Sequence, residues 1–223
     1  MSLHARITLT ATGALLVLGP LLVLVAEWTN PGTLGPMGVW EKAQAAWFQG
    51  VTPRTAGFNT IDIGAQREPT LNFMTALMFI GAGPASTSGG IKVTTFAVLG
   101  AAVWAETRGH PDVNVFRRRL PNTVIRQAMT VAFLAVGVVF ATAVTLTAIS
   151  PFHLTDTLFE AASAFGTVGL STGITGALPR SGQLVLIVVM LIGRLGPITF
   201  ITALALHRRV RVYRFAEERP IIG

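Results

Sequence analysis

Apolar residues in this chain come in long runs separated by short polar, glycine-rich stretches. The run from Leu9 to Ala26 is long enough, at about 1.5 Å per residue, to cross about 30 Å of hydrocarbon as one helix. Pro20 inside it is tolerated in a membrane helix. Trp28 to Gly38 is polar and rich in Gly and Pro, and Val39 to Gly50 is amphipathic but too short to span. Because that stretch runs into Val51-Thr52-Pro53-Arg54, it predicts a short helix that enters the membrane and returns as an extended loop. A further helix begins over Leu71 to Ile80, is interrupted from Gly81 to Gly90, and resumes from Ile91 to Trp104. The interruption holds four glycines, a proline and three hydroxyl residues, so no continuous helix is expected through it. Irregular backbone of this kind is stable at membrane depth only where it is buried in protein or faces water.

The second half repeats the plan with cleaner segments. A span is predicted from Val124 to Ile149, a short helix from Thr155 to Phe165 with Thr155-Asp156 as its N-cap, and a span from Gly182 to Leu206. The repetition is also literal. Thr55-Ala56-Gly57-Phe58-Asn59-Thr60 aligns with Thr167-Val168-Gly169-Leu170-Ser171-Thr172, 112 positions later, and the same offset puts Met78-Phe79-Ile80-Gly81 on Met190-Leu191-Ile192-Gly193. Internal repetition at one offset defines two units, 1–110 and 111–223, each reading as helix, re-entrant half-helix with loop, helix. Each unit crosses twice, so the repeats are parallel, related by an axis along the membrane normal. The fold class expected is an all-α membrane protein.

Composition agrees with that reading. Of the residues 51% are hydrophobic and 12% charged, and the mean hydropathy is +0.61, which excludes an ordinary soluble domain. There is no cysteine, and His4, His110, His153 and His207 lack the spacing of metal ligands. The net charge of +7 does not mark a nucleic-acid binder, because the basic residues sit at membrane ends rather than on one face. Of 17 Lys and Arg, eleven fall at Arg6, between Arg108 and Arg126, or between Arg208 and Arg219. Lys42, Arg67 and Arg180 occupy the opposite loops. The positive-inside bias therefore places the N-terminus, the central connection and the C-terminal tail in the cytoplasm.

The chemistry is concentrated in the repeated loops. Thr167-Val168-Gly169-Leu170 is close to the Thr-Val-Gly-Tyr-Gly strip with which potassium channels replace an ion's water by backbone carbonyls. A single loop of this kind reads equally well as a Gly-Thr turn between helices; its recurrence after a re-entrant half-helix favours the filter. The expected K+ ligands are the carbonyls of Thr55, Ala56, Gly57, Phe58, Thr167, Val168, Gly169 and Leu170. No nucleophile, base and orienting group come together in the sequence, and the acids are too scattered for paired catalysis, so no enzyme is expected. The stretch from Gly83 to Lys92 resembles a phosphate loop, but Ile91 stands where the Gly-Lys-Ser/Thr ending is needed; Gly81-Ala82-Gly83 lacks the third glycine of a dinucleotide turn.

Together these motifs resemble the C-terminal half of a potassium transporter of the Trk/Ktr/HKT superfamily. The likeness rests on Val51 to Thr60, on the break with Gly89-Gly90-Ile91-Lys92, on Phe165-Gly166-Thr167-Val168-Gly169-Leu170-Ser171 and on Gly193-Arg194-Leu195-Gly196-Pro197. It implies four helix-loop-helix units around one ion path, a homodimer of the full-length protein, and a cytosolic nucleotide-binding ring, with any nucleotide held by that partner and no cofactor on this chain. Here there are two units where the family has four. Either the chain is a segment or split product of a longer protein, which is the favoured expectation, or two copies meet around one pore. A non-conducting scaffold subunit of the same fold is the rival reading.

Four further residues or segments carry expectations. Arg194, near the middle of its predicted span, is too costly to leave in lipid, and is either packed in an ion pair or placed as a positive barrier on the inner side of the pore. The interrupted segment, with Gly83, Ser86, Thr87, Ser88, Gly89, Gly90 and Lys92, is the expected intramembrane gate, with Lys92 anchoring it to carbonyls or an acid. Arg54 is expected to brace the first loop. Glu160 is either a partner for a cation such as Arg54 or a solvated vestibule acid. The basic segments Arg117-Arg118-Arg119 and His207-Arg208-Arg209-Val210-Arg211 are expected at anionic lipid, or else against a regulatory ring.

Overall fold

Seven α-helices, one 3-10 turn (Ile174–Ala177) and one small hairpin make up the described part of the computed structural model, which covers residues 1–83, 86 and 88–196. In chain order they are α1 (Leu3–Glu27), α2 (Val39–Val51), α3 (Glu68–Phe79), α4 (Val93–Thr107), the strands β1 (Asn114–Val115) and β2 (Arg118–Arg119), α5 (Asn122–Ile149), α6 (Leu154–Gly166) and α7 (Arg180–Leu195). The expected all-α membrane fold is present. α1 and α5, of 25 and 28 residues, are long and apolar enough to cross a membrane. Their outer faces carry Leu9, Val17, Leu21 and Val25, and Phe133, Val136 and Phe140, all exposed. Continuous apolar faces of this extent are stable in lipid and would be aggregation sites in water.

Local chemistry explains how the helices carry polar residues. In α5 the hydroxyls of Thr142, Thr145 and Thr147 donate to the carbonyls of Val138, Ala141 and Ala143, at 2.7, 2.8 and 2.9 Å. No hydroxyl proton is thereby left unpaired in hydrocarbon. The far end of α1 is fixed by Glu27, fully buried, whose carboxylate accepts from Asn30 Nδ2 (2.5 Å), Thr33 Oγ1 (2.6 Å), the Arg67 amide (3.0 Å) and the Thr70 hydroxyl. This one side chain ties α1 to the start of α3 across 43 positions of sequence.

The core lies around α6. Phe159 and Phe165 are fully buried, packed in one cluster with Met74 and Met78 of α3, Leu146 of α5 and Leu186 of α7. The Phe79 and Phe165 rings stack with centroids 6.0 Å apart. α6 is thus enclosed by α3, α5 and α7, whereas α2 packs chiefly on α1 and leaves Trp40, Trp47 and Phe48 exposed. At 13 residues each, α2 and α6 are about 20 Å long, too short to span.

Two expectations are corrected. The N-cap of α6 is His153, not Thr155-Asp156, and no side chain caps it; Asp156 lies in the first turn, where a carboxylate complements the helix dipole. The helix α7 ends at Leu195, with Gly196 at φ 83°, so Arg194 stands in its last turn and is not central to a continuous helix. The rest of the predicted span to Leu206, the Pro197 position and the basic tail from His207 onward lie outside the described residues.

Candidate functional site

Both Thr-x-Gly loops begin where a short helix runs out. α6 closes at Thr167, in the left-handed region at φ 51°, and its loop continues to Gly169 at φ 97°. In the first loop Thr55 has φ 74° and Gly57 φ 75°. A threonine in the left-handed region is costly, by about 1–2 kcal/mol, and finding it at equivalent positions of two loops marks a strained geometry held by its surroundings. In both loops the first and third residues have positive φ and the middle residue, Ala56 or Val168, does not.

A hydroxyl from the preceding segment holds the end of each loop. Thr52 Oγ1 donates to the Phe58 carbonyl at 2.5 Å, and Ser163 Oγ to the Leu170 carbonyl at 2.6 Å. The carbonyls of Phe58 and Leu170, expected among the ion ligands, are therefore engaged by protein donors. Each keeps its second lone pair. The two loops lie against each other: a Cβ built on Gly57 would approach the Val168 carbonyl oxygen to 2.1 Å, which only glycine avoids.

Arg54 donates from Nη1 to the Thr12 carbonyl of α1 at 3.2 Å, which ties the residue before the first loop to α1. Glu160 meets neither expectation. Its carboxylate is only 4% exposed, and its donors among the described residues are neutral: Ser171 Oγ (2.6 Å), the Thr172 amide (3.0 Å) and hydroxyl (3.3 Å), and Thr175 Oγ1 (2.6 Å). A buried carboxylate satisfied by several short hydrogen bonds is an internal clamp rather than a vestibule acid. It fixes the strand leaving the second loop, while Phe48 stands at the matching position of the first unit.

Among the described residues of the interrupted segment, Gly89 and Gly90 pack against the base of the second loop. The neck of the segment is pinched shut by pairing of Ile80 with Ile91, with the Gly81 amide donating to the Ile91 carbonyl at 2.8 Å and the Val93 amide to that of Ala82 at 3.3 Å. The Gly89 amide donates to Thr167 Oγ1 at 3.0 Å, and the Gly90 amide to the Phe165 carbonyl at 3.2 Å. Lys92 Nζ donates to the Ser88 carbonyl at 2.6 Å, so its anchor is a carbonyl, and Ser88 Oγ accepts from the Ala82 amide at 2.8 Å. The Ser86 amide donates to the Gly83 carbonyl at 3.3 Å. Thr87 lies outside the described residues. Arg194, exposed in the last turn of α7, is near enough for its charge to act on Lys92. The sequence singled out these residues but gave no sign that Gly89 and Gly90 would dock on Thr167 and Phe165, a contact made across 78 positions.

With this geometry in view, the likeness to known proteins is informative. The chain is 46% identical over 206 residues to Ktr system potassium uptake protein B of Bacillus subtilis, covering 92% of this chain and 46% of that protein. It is 39% identical over 224 residues to Ktr system potassium uptake protein B of Vibrio alginolyticus, covering 100% of this chain and 49% of the relative. The chain thus spans about half the length of these curated relatives. The crystal structure of the potassium transporter TrkH from Vibrio parahaemolyticus superimposes with a TM-score of 0.72 at 24% identity, over 87% of this chain and 43% of that one, and so shares the fold. The family model of TrkH, described as a cation transport protein, matches residues 5–210, and the chain belongs to that family of membrane transport proteins.

Proposed function

We propose that this chain forms half of a potassium uptake pathway across the cell membrane, with its two apposed Thr-x-Gly loops as half of the selectivity filter. The observation that carries this reading is the apposition of Gly57 with Val168 and Gly169, each loop entered through a left-handed threonine. The carbonyls of Thr55, Ala56, Gly57, Phe58, Thr167, Val168, Gly169 and Leu170 coordinate dehydrated K+, those of Phe58 and Leu170 while also accepting the hydroxyls that hold the loop ends. The names of the Bacillus and Vibrio relatives, potassium uptake proteins, favour K+ as the transported ion.

The two units, 1–110 and 111–223, are the last two of four. The exposed Trp40, Trp47 and Phe48 on α2 support a missing neighbour, because the equivalent helix α6 is covered by α3 of the preceding unit. The segment from Gly83 to Lys92 acts as the intramembrane gate, since it touches the base of the second loop through Thr167. Arg194 places positive charge beside that gate and raises the barrier to cations. In this reading the N-terminus and the hairpin are cytoplasmic, the full-length protein is a dimer, and a cytosolic nucleotide-binding ring acts from that side.

The test is Rb+ uptake in a K+-uptake-deficient bacterium expressing this chain alone, or with the N-terminal half of a Ktr relative. Uptake by the chain alone that is lost with Gly169→Ser means that two copies complete the pore. Uptake only with the added half means that the chain supplies two of four units. No uptake in either case, with the protein in the membrane, would replace this reading by that of a non-conducting subunit.

A further inference from the structure

At the end of the bundle where α1 and α5 begin, a cleft opens between α1, α4 and α5. Its volume, about 370 Å³, is that of a small-molecule site. The walls are largely aliphatic, from Leu3 and Ile7 of α1, Val98 of α4, Leu120 just before α5, and Val124 and Val131 of α5. Its rim is basic. Arg6, Arg119 and Arg126 each adjoin a lining residue in sequence (Ile7, Leu120 and Gln127), and all three are exposed.

The hairpin beside the cleft adds to this charge. Its turn, between the paired Val115 and Arg118, places Phe116 at φ 50° and Arg117 at φ 62°, two left-handed residues where glycine or asparagine is usual. That strained turn presents an exposed Phe116 next to three arginines. Between Arg108 and Arg126 stand five arginines and one acid, Asp112, which Arg119 already pairs at 2.9 Å. Val113, Val115 and Leu120 pack with Leu3 and Val98, so the hairpin and the cleft are one assembly.

We propose that this cleft is a binding site for an anionic phospholipid, with acyl chain against Leu3, Ile7, Val98 and Val124 and phosphate at the Arg118–Arg126 rim. An apolar cleft beside a run of exposed arginines matches the two ends of such a molecule, and a zwitterionic lipid would leave the excess positive charge uncompensated. The site needs only that the chain sits in a membrane, and stands or falls separately from conduction.

The full chain is purified in detergent, equilibrated with equal phosphatidylglycerol and phosphatidylcholine, and examined by native mass spectrometry. Phosphatidylglycerol is expected to be retained preferentially, with about fivefold lost for each of Arg118→Gln and Arg126→Gln, the equivalent of about 1 kcal/mol per arginine. Val124→Trp, which narrows the cleft at a partly exposed position, is expected to lower retention without changing the rim. Equal retention of the two lipids would overturn the proposal. So would indifference to the arginine substitutions, indifference to Val124→Trp, or displacement by excess inorganic phosphate; the last two would indicate attraction of headgroups alone.

Discussion

Gly57 and Gly169, aligned by the sequence repeat, face each other in the structure on unequal terms. A Cβ on Gly169 would lie 3.6 Å from the Gly57 Cα, in ordinary contact, whereas a Cβ on Gly57 would reach 2.1 Å from the Val168 carbonyl oxygen. Both residues have positive φ, so any side chain costs about 1–2 kcal/mol at either position. At Gly57 alone, a collision with backbone is added.

Gly57→Ala is therefore expected to impair ion discrimination more than Gly169→Ala. In a transporting assembly the Rb+ to Na+ uptake ratio should fall for both, with the larger fall for Gly57→Ala. Equal ratios for the two variants would count against the apposition.

Replacing Glu160 by Ala removes the acceptor for three hydroxyls and one amide in a buried place. The expected cost is about 3 kcal/mol or more, since each hydrogen bond to a charged group contributes about 1.5–3 kcal/mol. Thermal unfolding of the purified protein should show a clearly lowered Tm, and Glu160→Gln, which keeps one acceptor oxygen, should lie between. An unchanged Tm for the alanine variant would mean that the clamp contributes nothing.

Glu27→Ala is expected to be as damaging by the same argument, because Asn30, Thr33, Thr70 and the Arg67 amide all lose their acceptor. Here the loosened element is the junction of α1 with α3. Proteolysis in the segment between α2 and α3 should accelerate; unaltered cleavage would show that packing alone holds the junction.

Lys92→Gln weakens the 2.6 Å bond to the Ser88 carbonyl and removes one of the two charges beside the interrupted segment. If that segment closes the path, Rb+ uptake in a transporting assembly should rise severalfold, and Arg194→Gln should raise it as well. Uptake unchanged in both variants would refute a gating role. Loss of folded protein on Arg194→Gln would instead favour a structural ion pair for that arginine.

Much of this protein was legible as a pattern. Hydropathy located α1 and α5, the short amphipathic stretches located α2 and α6, and glycines with proline located the break between α3 and α4, because each signal is local and lipid enforces it strictly. The offset between Thr55 and Thr167 announced two equivalent loops. The same local signals misplaced the α6 cap and ran α7 past Leu195, since neither helix end is decided by propensity alone.

The sequence by itself determined the membrane setting, the repeat and the glycines at the loops, because those follow from hydropathy, from periodicity and from the freedom of glycine in left-handed backbone. Only the tertiary structure decided which groups meet. It gave Glu160 hydroxyl partners instead of a cation, set Gly89 on Thr167, and turned the Phe58 and Leu170 carbonyls to hydroxyls. The physical reason is one of range: a hydrogen bond joining residues 78 positions apart depends on how helices pack, and no stretch of sequence records that distance.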